Sequence, residues 1–149
     1  MIKVTLIGYK GKLGSLAQTW INESEGMSVC QTIGKDDPLS SIRTNETDIA
    51  LELTNADHVL SNTLFLVKSK IPCVIGASGI REKDYQTLDQ LARTHHVPLW
   101  VIPNFSIGAI LLNQCSKALA KSFNQSHIIE AHHRQKLDSP SATSKMIQQ

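Results

Sequence analysis

The sequence predicts an α/β fold: a Rossmann-like parallel sheet with helices on both faces, followed by a segment of different character. Three observations carry that prediction. A short aliphatic run, Ile2 to Ile7, leads through a glycine turn into an amphipathic helix. Further aliphatic runs then alternate with helical periodicity in a βαβαβαβαβ order with short connections. Small or polar residues also collect where the strands end, at Gly8, Thr54, Gly76 to Gly79 and Asn104. In open α/β sheets those carboxyl ends are where ligands bind.

The composition is consistent with this. A chain of 149 residues, 41% hydrophobic and 19% charged, can build one proper core and is short for two complete domains. The net charge of +2 is small and scattered, with no basic block, which excludes a nucleic-acid binder of the usual kind. No run of about 18 apolar residues suggests a membrane span. Met1 to Gly8 is too short an apolar stretch for a signal peptide. Cys30, Cys73 and Cys115 are far apart and form no CxxC pair. They are expected to be reduced, buried thiols of a cytoplasmic protein.

The first strand, Ile2 to Ile7, is β-branched and aliphatic. In Gly8-Tyr9-Lys10-Gly11-Lys12-Leu13-Gly14 the glycines recur as GxxGxxG, with Lys10 where the commoner spacing has its second glycine. Gly8 permits a tight turn, Gly11 a close backbone approach to a pyrophosphate, and Gly14 close helix packing. The bare alternative is an ordinary strand-to-helix turn. Leu13, Leu16, Ala17, Trp20 and Ile21 then mark one helix face. Met27 to Ile33 is the second strand. Lys35 at its end favours a 2′-phosphate, while Asp36 and Asp37 favour free ribose hydroxyls; the order leans towards NADPH without excluding NADH, the bare alternative being a solvated turn.

Asp48 to Leu53 is the third strand, and a helix from about Ala56 to Lys70 follows. Pro72 to Ile75 is the fourth strand. Tyr85, Leu88, Leu91 and Ala92 mark the next helix, and Val97 to Ile102 the fifth strand. His95-His96 closes that helix, where a cation is favoured, so capping is expected there. The character changes near Asn104 to Ser106, giving a boundary between residues 1–105 and 106–149. A helix with Ile107, Leu111, Cys115, Ala118 and Leu119 on one face runs to about Phe123. His127 to Ala131 reads as one more strand.

That strand delivers Glu130-Ala131-His132-His133-Arg134-Gln135-Lys136-Leu137-Asp138-Ser139-Pro140-Ser141-Ala142-Thr143-Ser144. Imidazoles titrate near neutral pH and can move protons, and Lys136 can neutralise an acid and donate a proton. A helix starting at Pro140 to Thr143 offers unpaired N–H groups to a carboxylate. His132 and His133 as metal ligands are the rival reading, but no third ligand has zinc-like spacing.

These motifs together resemble the dihydrodipicolinate reductase family of bacterial lysine and diaminopimelate synthesis. Glu130 to Ser141 is similar to its signature Glu-x-His-His-x-x-Lys-x-Asp-x-Pro-Ser. Glu52-Leu53-Thr54 resembles its Asp-Phe-Thr element, Gly76-Ala77-Ser78-Gly79 its Gly-Thr-Thr-Gly turn, and Asn104 to Gly108 its Asn-Phe-Ser-x-Gly. The resemblance implies that residues 106–149 begin an α+β substrate domain. It also implies reduction of 4-hydroxy-tetrahydrodipicolinate, a small cyclic dicarboxylate, by NADPH or NADH, in a full-length homotetramer.

By the same resemblance His132 and Lys136 are catalytic, and His133, Ala142 and Thr143 hold substrate carboxylate. Gly8, Tyr9, Lys10, Gly11, Lys12, Leu13, Lys35, Gly76, Ala77, Ser78, Ile102, Pro103, Asn104 and Phe105 would line the cofactor, and no metal is implied. Lys12 stands in place of an arginine and Ala142 in place of a glycine. If that glycine needs positive φ, Ala142 is expected to be strained. Family members continue past the point where this chain stops. The expectation is therefore either a fragment of the reductase or an inactive remnant that only binds NAD(P)H.

Overall fold

A computed structural model of the chain describes every residue except 103, 133, 135–138 and 149, with residue 142 described by its backbone alone. The chain divides into two compact units, Met1–Ile102 and Pro103–Gln149.

The first unit is built on five parallel strands: β1 (Ile2–Ile7), β2 (Met27–Ile33), β3 (Ile49–Glu52), β4 (Cys73–Ile75) and β5 (Leu99–Val101). Their order across the sheet is β2-β1-β3-β4-β5, so the chain steps to one side of β1 and then to the other. The register is continuous from β1 to β5, with Leu6 opposite Leu51, Leu51 opposite Val74, and Val74 opposite Trp100. Right-handed crossovers from such an order place the helices on opposite faces.

Alternation along the strands confirms this arrangement. Ile7, Ala50, Cys73 and Ile75 share one apolar cluster with Val59, Leu66 and Val67 of α2 (Val59–Lys68). Leu91 and Ala92 of α3 (Glu82–His95) pack against the same cluster. Leu6 and Leu51 point the other way, with Ala17 of α1 (Lys12–Glu23).

Helix limits follow local chemistry. Asp84 accepts from the backbone N–H of Arg81, closing the start of α3. His96, left-handed at φ 55°, ends that helix by donating its N–H to Ala92 O and Arg93 O. This gives the His95-His96 pair the capping place expected for it. Helix α2 starts at Val59 rather than near Ala56, because Asn55 Oδ1 accepts from Asp57 N at 3.0 Å and holds a turn first.

One departure concerns the βαβαβαβαβ order. No α-helix lies between β2 and β3; two 3-10 turns, Leu39–Ser41 and Thr44–Glu46, make the connection. Pro38 restrains the chain after β2, and the two apolar residues that follow, Leu39 and Ile42, are too few to make an amphipathic face. The link instead buries Ile42 and packs Leu39 against the larger core cluster.

The second unit contains α4 (Ile107–Ala120) and α5 (Ala142–Gln148). The expected strand at His127 to Ala131 is not formed. The β-branched pair Ile128-Ile129 suits a strand, but a strand needs a ladder partner and the described residues of this unit supply none. Ile129 is accordingly 94% exposed. Helix α4 has the apolar periodicity foreseen for it yet buries no residue, and Ile107 is 74% exposed. For the same reason Cys115 lies exposed on α4, against the expectation of three buried thiols. Cys73 is buried and Cys30 half-buried. Burial, reinforced by the nearby Glu52 charge, pushes the Cys73 thiol up to about 12, so it stays protonated. Among the described residues no helix is long and apolar enough to cross a membrane.

Candidate active site

In the first unit the glycine turn closes against the ends of β1, β2 and β3. Gly8, at φ +85°, donates its N–H to Ile33 O at 2.8 Å, and a Cβ there would lie 2.8 Å from the Leu53 carbonyl. Gly11 N donates to Gly8 O at 3.0 Å and Gly11 forms the N-cap of α1 without a capping side chain. A Cβ on Gly14 would stand 2.2 Å from Gly8 O. These contacts force glycine at positions 8 and 14 and bring the helix start onto the turn. The first-turn N–H groups of α1 have no intrahelical acceptors, and no acidic side chain competes for them. Such a cradle fits a pyrophosphate.

Tyr9 is half-buried, while Lys10, Lys12, Leu13 and Lys35 are exposed. Lys10 Nζ lies 5.6 Å from the Tyr9 ring centre. The role foreseen for Asp37 changes: its Oδ2 accepts from Gly34 N at 2.8 Å. The carboxylate therefore closes the turn after β2, and Lys35 stands exposed beside it.

On the other side of β1, opposite Ile7, Glu52 is fully buried at the end of β3. Its Oε1 accepts from Thr54 N at 3.2 Å, from the Thr54 hydroxyl, and from Asn62 Nδ2 at 3.1 Å. The carboxyl thereby fixes the loop after β3. That loop in turn meets Gly79 (φ +122°), where a Cβ would be 2.5 Å from Ala56 Cα. Gly76 and Ala77 both donate their N–H to Glu52 O. In the sequence Glu52 stands out only as the counterpart of the Asp in an Asp-Phe-Thr element. A carboxylate inside an aliphatic strand was the signal available.

The second unit brings together residues from opposite ends of itself. Asn104 Nδ2 donates to Thr143 Oγ1 at 2.8 Å, and Asn104 Oδ1 accepts from Ser106 N at 2.7 Å. Ser106 then caps α4, accepting from Ala109 N. Phe105 is exposed and Ile102 half-buried. Ala142 opens α5 with a helical backbone, so the strain expected from positive φ does not arise. His132 is exposed; His133, Lys136 and Pro103 lie outside the described residues. Among the described residues no cluster of His, Cys, Asp and Glu could hold a metal.

The residue that sequence reasoning missed is Glu130. Its carboxylate accepts from Ser141 N at 3.1 and 3.2 Å, from Ser144 Oγ, and lies 3.3 Å from His132 Nε2. Hydrogen bonds from Ser141 and then Ser144 hold its carboxyl down at about 2, below the 4.5 of a free glutamate. A depressed carboxylate stabilises the fold above its unfolded pKa and loses that contribution as pH falls through the folded value. The window is therefore about pH 4.5 down to about 2. A carboxyl-carbon NMR titration is expected to place the Glu130 midpoint near the lower value. A midpoint at the ordinary glutamate position would refute the network.

Comparison with known proteins gives a consistent result. Residues 2–105 match the family described as "Dihydrodipicolinate reductase, N-terminus", and residues 108–149 match "Dihydrodipicolinate reductase, C-terminus". A 4-hydroxy-tetrahydrodipicolinate reductase of Corynebacterium urealyticum is 32% identical over 144 residues, covering 96% of this chain and 58% of that protein. One from Legionella pneumophila is 35% identical over 142 residues, covering 95% of this chain and 58% of its own length. A solved dipicolinate-bound dihydrodipicolinate reductase from Paenisporosarcina superposes with a TM-score of 0.77 at 28% identity, over 99% of this chain and 65% of that one. The chain thus spans a little over half the length of the curated relatives it matches.

Proposed function

The chain belongs to the dihydrodipicolinate reductase family, and on that premise we propose that the whole protein reduces 4-hydroxy-tetrahydrodipicolinate to tetrahydrodipicolinate with NADPH or NADH. The setting is cytoplasmic lysine and diaminopimelate synthesis, and the full-length assembly is a homotetramer. The observation that carries the reading is the Asn104–Thr143 hydrogen bond. It ties a residue assigned to the cofactor to one assigned to the substrate carboxylate.

The reduced nicotinamide, when bound, supplies the hydride. The residues of this chain do the rest. Gly8, Tyr9, Lys10, Gly11, Lys12 and Leu13 hold the pyrophosphate, and Gly76, Ala77 and Ser78 line the same crevice. Ile102, Pro103, Asn104 and Phe105 complete the cofactor side. Thr143, the Ala142 backbone and His133 bind substrate carboxylate. His132 and Lys136 exchange protons with the ring as it is reduced.

Titration of the 149-residue chain with NADPH and NADH, followed by a reductase assay on a full-length form, tests this. Saturable cofactor binding with turnover supports the enzyme. Binding without turnover in the full-length form would instead support an inactive nucleotide-binding remnant. Lys35→Glu is expected to shift the affinity ratio towards NADH by roughly tenfold or more, the scale of one charge-assisted hydrogen bond. An unchanged ratio would remove Lys35 from the cofactor site.

A further inference from the structure

We propose that Glu130 is a positioning residue for His132: it holds the imidazole by Nε2–H and leaves Nδ1 as the nitrogen that exchanges a proton with the substrate. The proposal rests on the reductase reading for what Nδ1 faces, while the clamp itself stands on the geometry of the loop.

Among the described residues, three donors converge on Glu130. Ser141, a buried residue, points its N–H between the two carboxylate oxygens. Ser144 adds its hydroxyl, and His132 Nε2 approaches Oε2 at 3.3 Å. The direction of each bond can be assigned. An ionised carboxylate has no proton to give, so Nε2 must be the donor. Ser144 Oγ–H is spent on Glu130, so the 3.2 Å contact between the two hydroxyls must run from Ser141 Oγ–H to Ser144 Oγ. Ser141 Oγ then accepts from Ser144 N at 3.1 Å, which makes Ser141 the N-cap of α5. The network closes without conflict in one sense only.

The mechanical effect follows. A capping box normally lets a side chain three residues inside the helix reach back to the N-cap N–H. Here the acceptor comes from Glu130, which precedes the whole signature loop. Both ends of that loop are pinned to one carboxylate, and His132 is pinned with them.

The chemical effect concerns the imidazole. With Nε2–H committed to Glu130, the neutral ring carries its lone pair on Nδ1, and the cation carries a second N–H there. Transfer moves one proton from Nδ1 to the substrate and leaves a neutral ring still protonated at Nε2. Nothing is oxidised or reduced in that step.

Long-range ¹H–¹⁵N correlation spectra of the histidine-labelled 149-residue chain, recorded where the ring is neutral, identify the protonated nitrogen. The expected result is a His132 Nε2–H signal protected from exchange in the wild type and in Ser144→Ala. In Glu130→Ala that protection is lost, and Ser141 amide exchange rises at least tenfold. A wild-type spectrum showing Nδ1–H, or Glu130→Ala spectra identical to wild type, overturns the proposal. The wild-type spectrum decides even if Glu130→Ala fails to fold. Titration with pyridine-2,6-dicarboxylate separates the two claims. Its failure to perturb His132 would count against the reductase reading, whereas the tautomer would still decide the clamp.

Discussion

Gly14→Ala is expected to destabilise the nucleotide-binding unit by about 3 kcal/mol or more, at the upper end of overpacking costs. The added Cβ would lie 2.2 Å from Gly8 O, 2.8 Å from Tyr9 Cα and 2.9 Å from Gly8 C. All three are backbone atoms, so no side chain can swing aside; α1 itself must lift away from the turn. For a unit of this size such a loss lowers Tm by more than about 10 °C, and cofactor affinity should fall with it because the cradle opens. Gly26→Ala is the matched control. Gly26, unlike Gly14, has positive φ, +95°, but nothing lies within 4 Å of its Cβ position. Only backbone strain of about 1 kcal/mol is expected there, with cofactor binding intact. Thermal unfolding and NADPH titration of both variants check this. If Gly14→Ala melts no lower than Gly26→Ala, close packing is not what holds the turn.

In a full-length form, His132→Ala and Lys136→Ala are each expected to lower kcat/KM by about 10²- to 10⁴-fold, the usual contribution of a positioned general acid or base. Cofactor affinity should change little, since neither residue is among those assigned to the cofactor. The double variant should lose less than the product of the two single effects if both groups serve one transition state. Steady-state kinetics with NADPH held saturating measures all three. A fall of less than about tenfold in either single variant would remove that residue from the proton transfers.

The sheet was legible because its strands are short, aliphatic and interrupted by glycine or proline, and the core they form is local to the first unit. The glycine turn was legible for a similar reason: its geometry depends on atoms within a few residues, as between Gly8 and Gly14. Elements whose meaning depends on distant partners were not. His127 to Ala131 carries the β-branched pair Ile128-Ile129 that suits a strand, but a ladder needs a neighbour, and none is present among the described residues of its unit. Asp37 looked like a charge facing a ribose and instead accepts a turn N–H three residues back. Glu130 stood at the head of the most informative stretch, yet its role needs serines eleven and fourteen residues on. No local pattern couples a carboxylate to hydroxyls at that separation.

The strand order has a further consequence, for how the chain is made. β2 pairs with β1, β3 with β1, β4 with β3 and β5 with β4. Each strand after β1, as it leaves the ribosome, therefore meets an edge that is already in place. Parallel sheets usually fold slowly because non-local pairings are costly to close. Here growth outward from β1 keeps each new pairing next to finished structure. The nucleotide-binding unit can assemble in the order of its own translation, before the signature loop has been synthesised.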